Sequence, residues 1–145
     1  MKKIGFIGAY DKTDLLIYIA KLLVENDVKV LIVDATTLQK TRYTVPCIMP
    51  SRKYITTYED MDIAIGFENL QEIMNYAGTQ DFNYDIMLLD IDNRKAFENF
   101  EMYTSDKNYF VTAFDNYSIK KGLETVGQSE EKMLMTKILF SKNMD

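Results

Sequence analysis

Short apolar runs alternate along this chain with longer runs whose apolar residues recur at helical spacing. Ile4 to Ile7 is a run of the first kind, and from Asp11 the chain reads DKTDLLIYIAKLLVEND, which sets Leu15, Leu16, Ile19, Leu22 and Leu23 on one helical stripe. This predicts strand, turn, helix. Lys29 to Asp34, KVLIVD, is continuously apolar and ends in an acid, as suits a strand covered on both faces in a parallel sheet. Tyr84 to Asp92, YDIMLLDID, repeats that pattern. Asn108 to Asp115, NYFVTAFD, predicts another strand, followed by a short helix around Ser118 to Val126 and a last strand in MLMTKILFS, Met133 to Ser141. Leu70, Ile73, Met74 and Ala77 stand at helical spacing before Gly78, a C-terminal stop. Thr41 to Phe67 has no helical period and reads as irregular, with one or two short strands near Tyr54 to Thr57 and Asp62 to Ile65.

Strands alternating with helices predict an α/β fold: a three-layer, doubly wound, mostly parallel sheet of five to seven strands with helices on both faces, in a single domain over residues 1–145. Such sheets bind ligands at the carboxyl ends of their strands. Those ends carry Gly8 to Thr13, Asp34, Asp90 and Asp92, Asp115, and Ser141 with Lys142.

Composition narrows the chemistry. The chain has 145 residues, 47% apolar and 12% aromatic, enough for one core. No run reaches the roughly 18 apolar residues of a membrane span, and the start lacks a cleavable signal pattern, so the expectation is a cytoplasmic protein. One cysteine, Cys47, forms no internal disulfide, and the absence of histidine removes the commonest general base near neutral pH. Chemistry would rest on Asp, Glu, Lys, Ser, Thr or a metal. A net charge of -5 argues against direct nucleic-acid contact. Lys40, Arg42, Arg52 and Lys53 read as a solvated rim, and YITTYEDMDIAIGF, Tyr54 to Phe67, is apolar enough to suggest a partner surface.

The turn after the first strand, GFIGAYDKTDL, carries the functional question. Lys12 and Thr13 open the helix where a P-loop places its phosphate-binding Lys and magnesium-binding Ser/Thr, and Gly8 supplies one glycine. Here the chain resembles the ParA/MinD-type P-loop ATPases, whose deviant Walker A loop reads K-G-G-x-G-K-S/T. Aligned on Lys12 and Thr13, the loop is degenerate: Ile7 stands at the signature lysine, Ala9 at the second glycine and Asp11 at the glycine before the catalytic lysine. VLIVDA with Asp34 looks like the family's second strand, YDIMLLDID with Asp90 is similar to its Walker B strand, and KILFSKNMD looks like its late strand, with Ser141 and Lys142 in place of an Asn-Lys pair. Family members usually run on for many more residues, so the resemblance implies a trimmed version or a piece of a longer chain. It also implies dimerisation and a protein partner or cargo.

Asp11 opposes ordinary ATP binding. Two like unit charges about 4 Å apart repel by roughly 4 kcal/mol at an effective dielectric near 20, about a thousandfold in affinity. Asp11 to Asp14 instead makes a helix N-cap where a phosphate would sit. Lys12 at a positive helix end then needs an anion, which Asp90 or Asp34 can supply from within about 4 Å. The reading is a ParA/MinD-like domain with nucleotide binding weakened or lost, acting as a binding, scaffolding or regulatory module with no cofactor. The enzyme alternative is a weak Mg-dependent ATPase: ATP on Gly8, Asp11, Lys12 and Thr13, magnesium between Thr13 and Asp90, and Asp34 orienting water. A Rossmann dinucleotide site would place Tyr10 and Thr13 at its second and third glycines, and a receiver-like domain with Asp90 as phosphoacceptor lacks the paired acids after strand one.

Overall fold

A computed structural model describes residues 1–44, 52–78, 83–112, 120–121, 123–125 and 135–139. The expectations for Cys47, Asp115, Ser141 and Lys142, and for most of the helix at 118–126, lie outside them, although residues 120, 121 and 123–125 are helical. In chain order the elements are β1 (Lys2–Ile7), α1 (Thr13–Glu25), β2 (Val30–Asp34), α2 (Thr41–Thr44), β3 (Tyr54–Tyr58), β4 (Met61–Ile65), α3 (Leu70–Ala77), β5 (Ile86–Ile91), α4 (Arg94–Asn99), β6 (Lys107–Thr112) and β7 (Met135–Leu139). The seven strands form one sheet in the order β3-β4-β2-β5-β1-β6-β7, parallel throughout except for the β3–β4 hairpin. The doubly wound, mostly parallel sheet read from the pattern is therefore present.

Period-two alternation divides the interior into two cores. Leu31, Val33, Met87 and Leu89 face a cluster completed by Ile73 of α3 and by Ala96 and Phe97 of α4. Val30, Ile32 and Leu88 face the other way, onto Leu16, Ile17 and Ala20 of α1. With both faces covered, all five residues of β2 are buried, which is why the sequence reads there as an unbroken apolar run. Each such aliphatic side chain contributes about 1.5–3 kcal/mol by leaving water.

Three details differ from the pattern reading. The buried face of α1 is Thr13, Leu16, Ile17 and Ala20, at i, i+3, i+4 and i+7, whereas Leu22 is exposed. The apolarity of 54–67 serves the interior: β4 lies between β3 and β2, with Met61, Ile63, Ala64 and Ile65 buried, so only β3 is left at the edge. Helix α4 has too few turns to show a period, but Asn93 marks its start by accepting a hydrogen bond from the Ala96 N–H at 2.8 Å.

The centre of the sheet fixes the strand ends that matter. Asp34 pairs in register with Asp90 across β2 and β5, and Phe6 with Asp90 across β1 and β5. Gly8 then leaves the sheet at φ +148, donating its N–H to Ile91 O at 3.0 Å. A Cβ at Gly8 would collide with the Val111 carbonyl oxygen of β6. Gly8→Ala should therefore destabilise the fold by about 2 kcal/mol or more through combined strain and overpacking, measured by urea unfolding. An effect below about 0.5 kcal/mol would contradict this close approach.

Candidate functional site

The loop 8–12 joins β1 to α1 at the carboxyl end of the sheet, and its lysine turns inward. Lys12 is 1% exposed, and its ammonium donates to Gly8 O at 2.5 Å and Tyr10 O at 3.2 Å and meets Asp90 Oδ1 at 2.9 Å. Two of the ammonium's three donors are taken by these carbonyls, and Asp90 adds an opposite charge on the remaining side. The contact with Asp90 is poorly aligned for a hydrogen bond, so its strength is that of a buried ion pair. Of the two carboxylates within reach of the sequence argument, Asp90 is the one that pairs with Lys12.

Burial pushes the Asp90 carboxyl up from 3.8 to about 6; Lys12 opposes that rise, while Asp34 and Asp92 add to it. At neutral pH the Asp90 carboxyl is still mostly ionised. Asp34 has a different environment: Oδ1 accepts from the Thr36 N–H at 3.0 Å and hydroxyl at 2.6 Å, and Oδ2 from the Thr41 N–H at 3.3 Å and hydroxyl at 2.5 Å. Both oxygens are engaged, Oδ1 by the turn after β2 and Oδ2 by Thr41 at the start of α2. Asp92 Oδ1 accepts from the Thr37 N–H at 3.0 Å and hydroxyl at 3.2 Å, stapling that turn to the end of β5. Thr36, Thr37 and Thr41 were not among the residues singled out from sequence. The run DATT after a strand is the signal that could have found the first two, since an Asp two residues ahead of a Thr favours a local turn.

Asp11 faces the helix start. Its Oδ1 accepts the Thr13 N–H at 3.1 Å, and its Oδ2 lies 3.3 Å from Lys40 Nζ. Burial alone would raise its carboxyl, but the Thr13 backbone and hydroxyl donors and Lys40 outweigh that and hold it below the usual range. Helix α1 begins at Thr13 rather than at Asp11, with Lys12 as the cap residue. The basic rim is likewise organised by its own partners: Lys40 by Asp11, Arg42 by Gln39 Oε1 and the Arg52 carbonyl, and Lys53 by Glu72.

A cavity of about 70 Å³ remains between Tyr10, Asp11, Lys12, Thr13, Lys40 and Asp90, far below the roughly 300–1,000 Å³ of ordinary small-molecule pockets. The structure thus brings together Gly8, Asp11, Lys12, Thr13 and Asp90, with Asp34 alongside. As arranged, they do not fit a nucleotide with magnesium: Asp11 holds the N–H group a phosphate would use, and Lys12 is consumed by Gly8, Tyr10 and Asp90. Among the described residues, no group of three or more His, Cys, Asp or Glu side chains is placed to hold a metal ion. A larger, open cavity of about 890 Å³ adjoins the small one at the same end of the sheet, sharing Thr36 and Leu38 and bordered by Asp34, Arg42 and Lys53, and another of about 660 Å³ opens at the opposite, amino end beside Asp62 and Tyr84.

The buried pair gives two tests. Lys12→Met or Asp90→Leu alone should cost about 3–5 kcal/mol by stranding a buried charge, whereas both together should be near neutral. Additive single and double values would contradict the pairing. Because the folded chain holds the Asp90 proton to higher pH than the unfolded chain does, this group's stabilising contribution is full below about pH 4 and is lost as pH rises through about 6. The Asp90 carboxyl carbon should titrate by NMR with a midpoint near 6. A midpoint below 4 would mean that burial does not control this group.

No family model matches the chain, and no curated protein matches it at a significant level. Solved structures do. The ParA family ATPase from Chlorobium tepidum TLS superposes with a TM-score of 0.67 at 13% identity, covering 99% of this chain and 75% of that one. The MinC:MinD cell division protein complex of Aquifex aeolicus gives 0.62 at 17% identity, covering 96% and 68%. A plasmid partition protein from Borrelia burgdorferi gives 0.61 at 15%, covering 98% and 80%. At these identities the likeness is one of architecture, and the chain has the α/β fold of the MinD and ParA ATPases.

Proposed function

We propose that this domain is a ParA/MinD-like module whose phosphate site is held shut by its own side chains and which acts by binding a protein partner within a larger assembly. The observation that carries the reading is the Lys12 ammonium on Gly8 O, Tyr10 O and Asp90. In a working phosphate loop those donors would be turned toward the ligand. Asp11 supports it from the other side, since its carboxylate takes the Thr13 N–H and the charge of Lys40. Each of the two lysines at the site meets a carboxylate of this chain, Lys12 that of Asp90 and Lys40 that of Asp11.

A protein partner is the counterpart in this reading, by analogy with the Aquifex aeolicus MinD found in complex with MinC. No helix among the described residues is long and apolar enough to cross a membrane. The competing reading, a weak Mg-dependent ATPase, rests on Thr13 and Asp90 bordering the same cavity as Lys12. It requires Lys12 to leave Asp90 and Asp11 to leave Thr13.

Calorimetric titration with ATP and magnesium separates the two. The native protein should show no binding at millimolar nucleotide, and Asp11→Gly should bind more tightly, by up to roughly a thousandfold, once like-charge repulsion is removed. Micromolar binding by the native protein, lost in Lys12→Ala, would overturn the proposal in favour of the ATPase.

A further inference from the structure

Strand β3 is one edge of the sheet: among the described residues it pairs with β4 alone. Edge strands usually carry a charge, a proline or a bulge that blocks further pairing. Within Tyr54–Tyr58, YITTY, there is none. Its outward hydrogen-bonding groups follow from the hairpin. Tyr58 opposes Met61 across a two-residue turn whose residues, Glu59 and Asp60, have φ of 48 and 66, the backbone of a type I′ turn. Tyr58 and Met61 therefore form a hydrogen-bonded pair, and the alternation places Thr56 and Tyr54 in hydrogen-bonded pairs as well. Ile55 and Thr57 are left with their N–H and C=O groups directed away from β4, at the edge.

The sequence around this edge is complementary to itself. Reversed about Thr56, Arg52 faces Asp60, Lys53 faces Glu59, Tyr54 faces Tyr58, and Ile55 faces Thr57. That register sets the outward groups of Ile55 on those of Thr57 in a second copy, the pairing an antiparallel ladder needs. Just beyond each end of that ladder it brings Lys53 of one copy toward Glu59 of the other, the first residue of the hairpin turn, whereas shifting it by two residues in either direction separates them. A two-fold axis perpendicular to the sheet keeps each face with its counterpart, so the α1-side Tyr54 meets the partner's Tyr58.

We propose that β3 is a self-association edge, joining two copies of this chain antiparallel through Ile55 and Thr57 with a two-fold axis at Thr56, without nucleotide and away from the phosphate loop. Five residues of strand make a small interface, so the dimer is concentration-dependent rather than obligate. Lys53 and Glu59 now bridge Glu72 and Lys21 respectively on the surface, and exchange of exposed ion pairs costs little.

Sedimentation equilibrium and cysteine trapping test this together. At the axis, the two Thr56 residues form a non-hydrogen-bonded pair with Cα atoms about 4.5 Å apart, within disulfide reach. In a Cys47→Ser background, Thr56→Cys should cross-link at least about tenfold faster than Lys95→Cys, placed on the remote helix α4. Lys53→Glu should weaken the dimer roughly tenfold, and adding Glu59→Lys should restore it, a rescue that a fold defect would not give. Thr57→Pro, checked for native circular dichroism, should abolish association by removing an edge donor. A chain that stays monomeric to about 1 mM would overturn the proposal, as would association indifferent to Lys53→Glu and Thr57→Pro, or equal trapping at positions 56 and 95.

Discussion

The ion pair between Lys12 and Asp90 is the constraint on which the carboxyl end of this sheet depends. A lysine 1% exposed is tolerated only if its ammonium is fully engaged, and two carbonyls of its own loop with one carboxylate of β5 meet that demand. The loop wraps its own lysine as a P-loop wraps a phosphate. That geometry needs β1 and β5 adjacent at the sheet centre, and it needs Gly8, whose backbone leaves the sheet against Val111 where no side chain fits.

Around this pair, carboxylates take up backbone and hydroxyl donors at the strand ends. Asp11 holds the first N–H of α1, while Asp34 and Asp92 hold the turn of Thr36 and Thr37. With Thr41 also bound to Asp34, the segment after β2 is tied at both ends. Like charges this close repel, and Asp34 and Asp92 help raise the Asp90 carboxyl. Only a dense set of internal donors makes the arrangement stable, and the threonines with Lys12 and Lys40 supply it.

The parts legible in the sequence are those with a single physical cause. β2 and β5 read as unbroken apolar runs because helices cover both faces of the central sheet, and Gly78 read as a stop because a left-handed residue ends α3. The expectation that Lys12 would find a carboxylate followed from charge alone, but the choice of Asp90 over Asp34 depended on strand order and on the threonines that occupy Asp34. Tertiary placement also decided the stretch from Tyr54 to Phe67. Its residues read alike as a string, yet β4 is interior and β3 is an edge, a distinction that the order of strands makes and composition does not.

The most direct test of the self-occupied loop is the NMR signal of the Lys12 ammonium, recorded with and without millimolar ATP and magnesium. A buried ammonium bonded to two carbonyls and facing a carboxylate exchanges slowly with water, so a resolved signal that responds to Asp90→Asn and is unmoved by nucleotide is the predicted result. A signal lost to rapid exchange in the protein alone, or one that shifts on adding nucleotide, would contradict it and return Lys12 to phosphate binding.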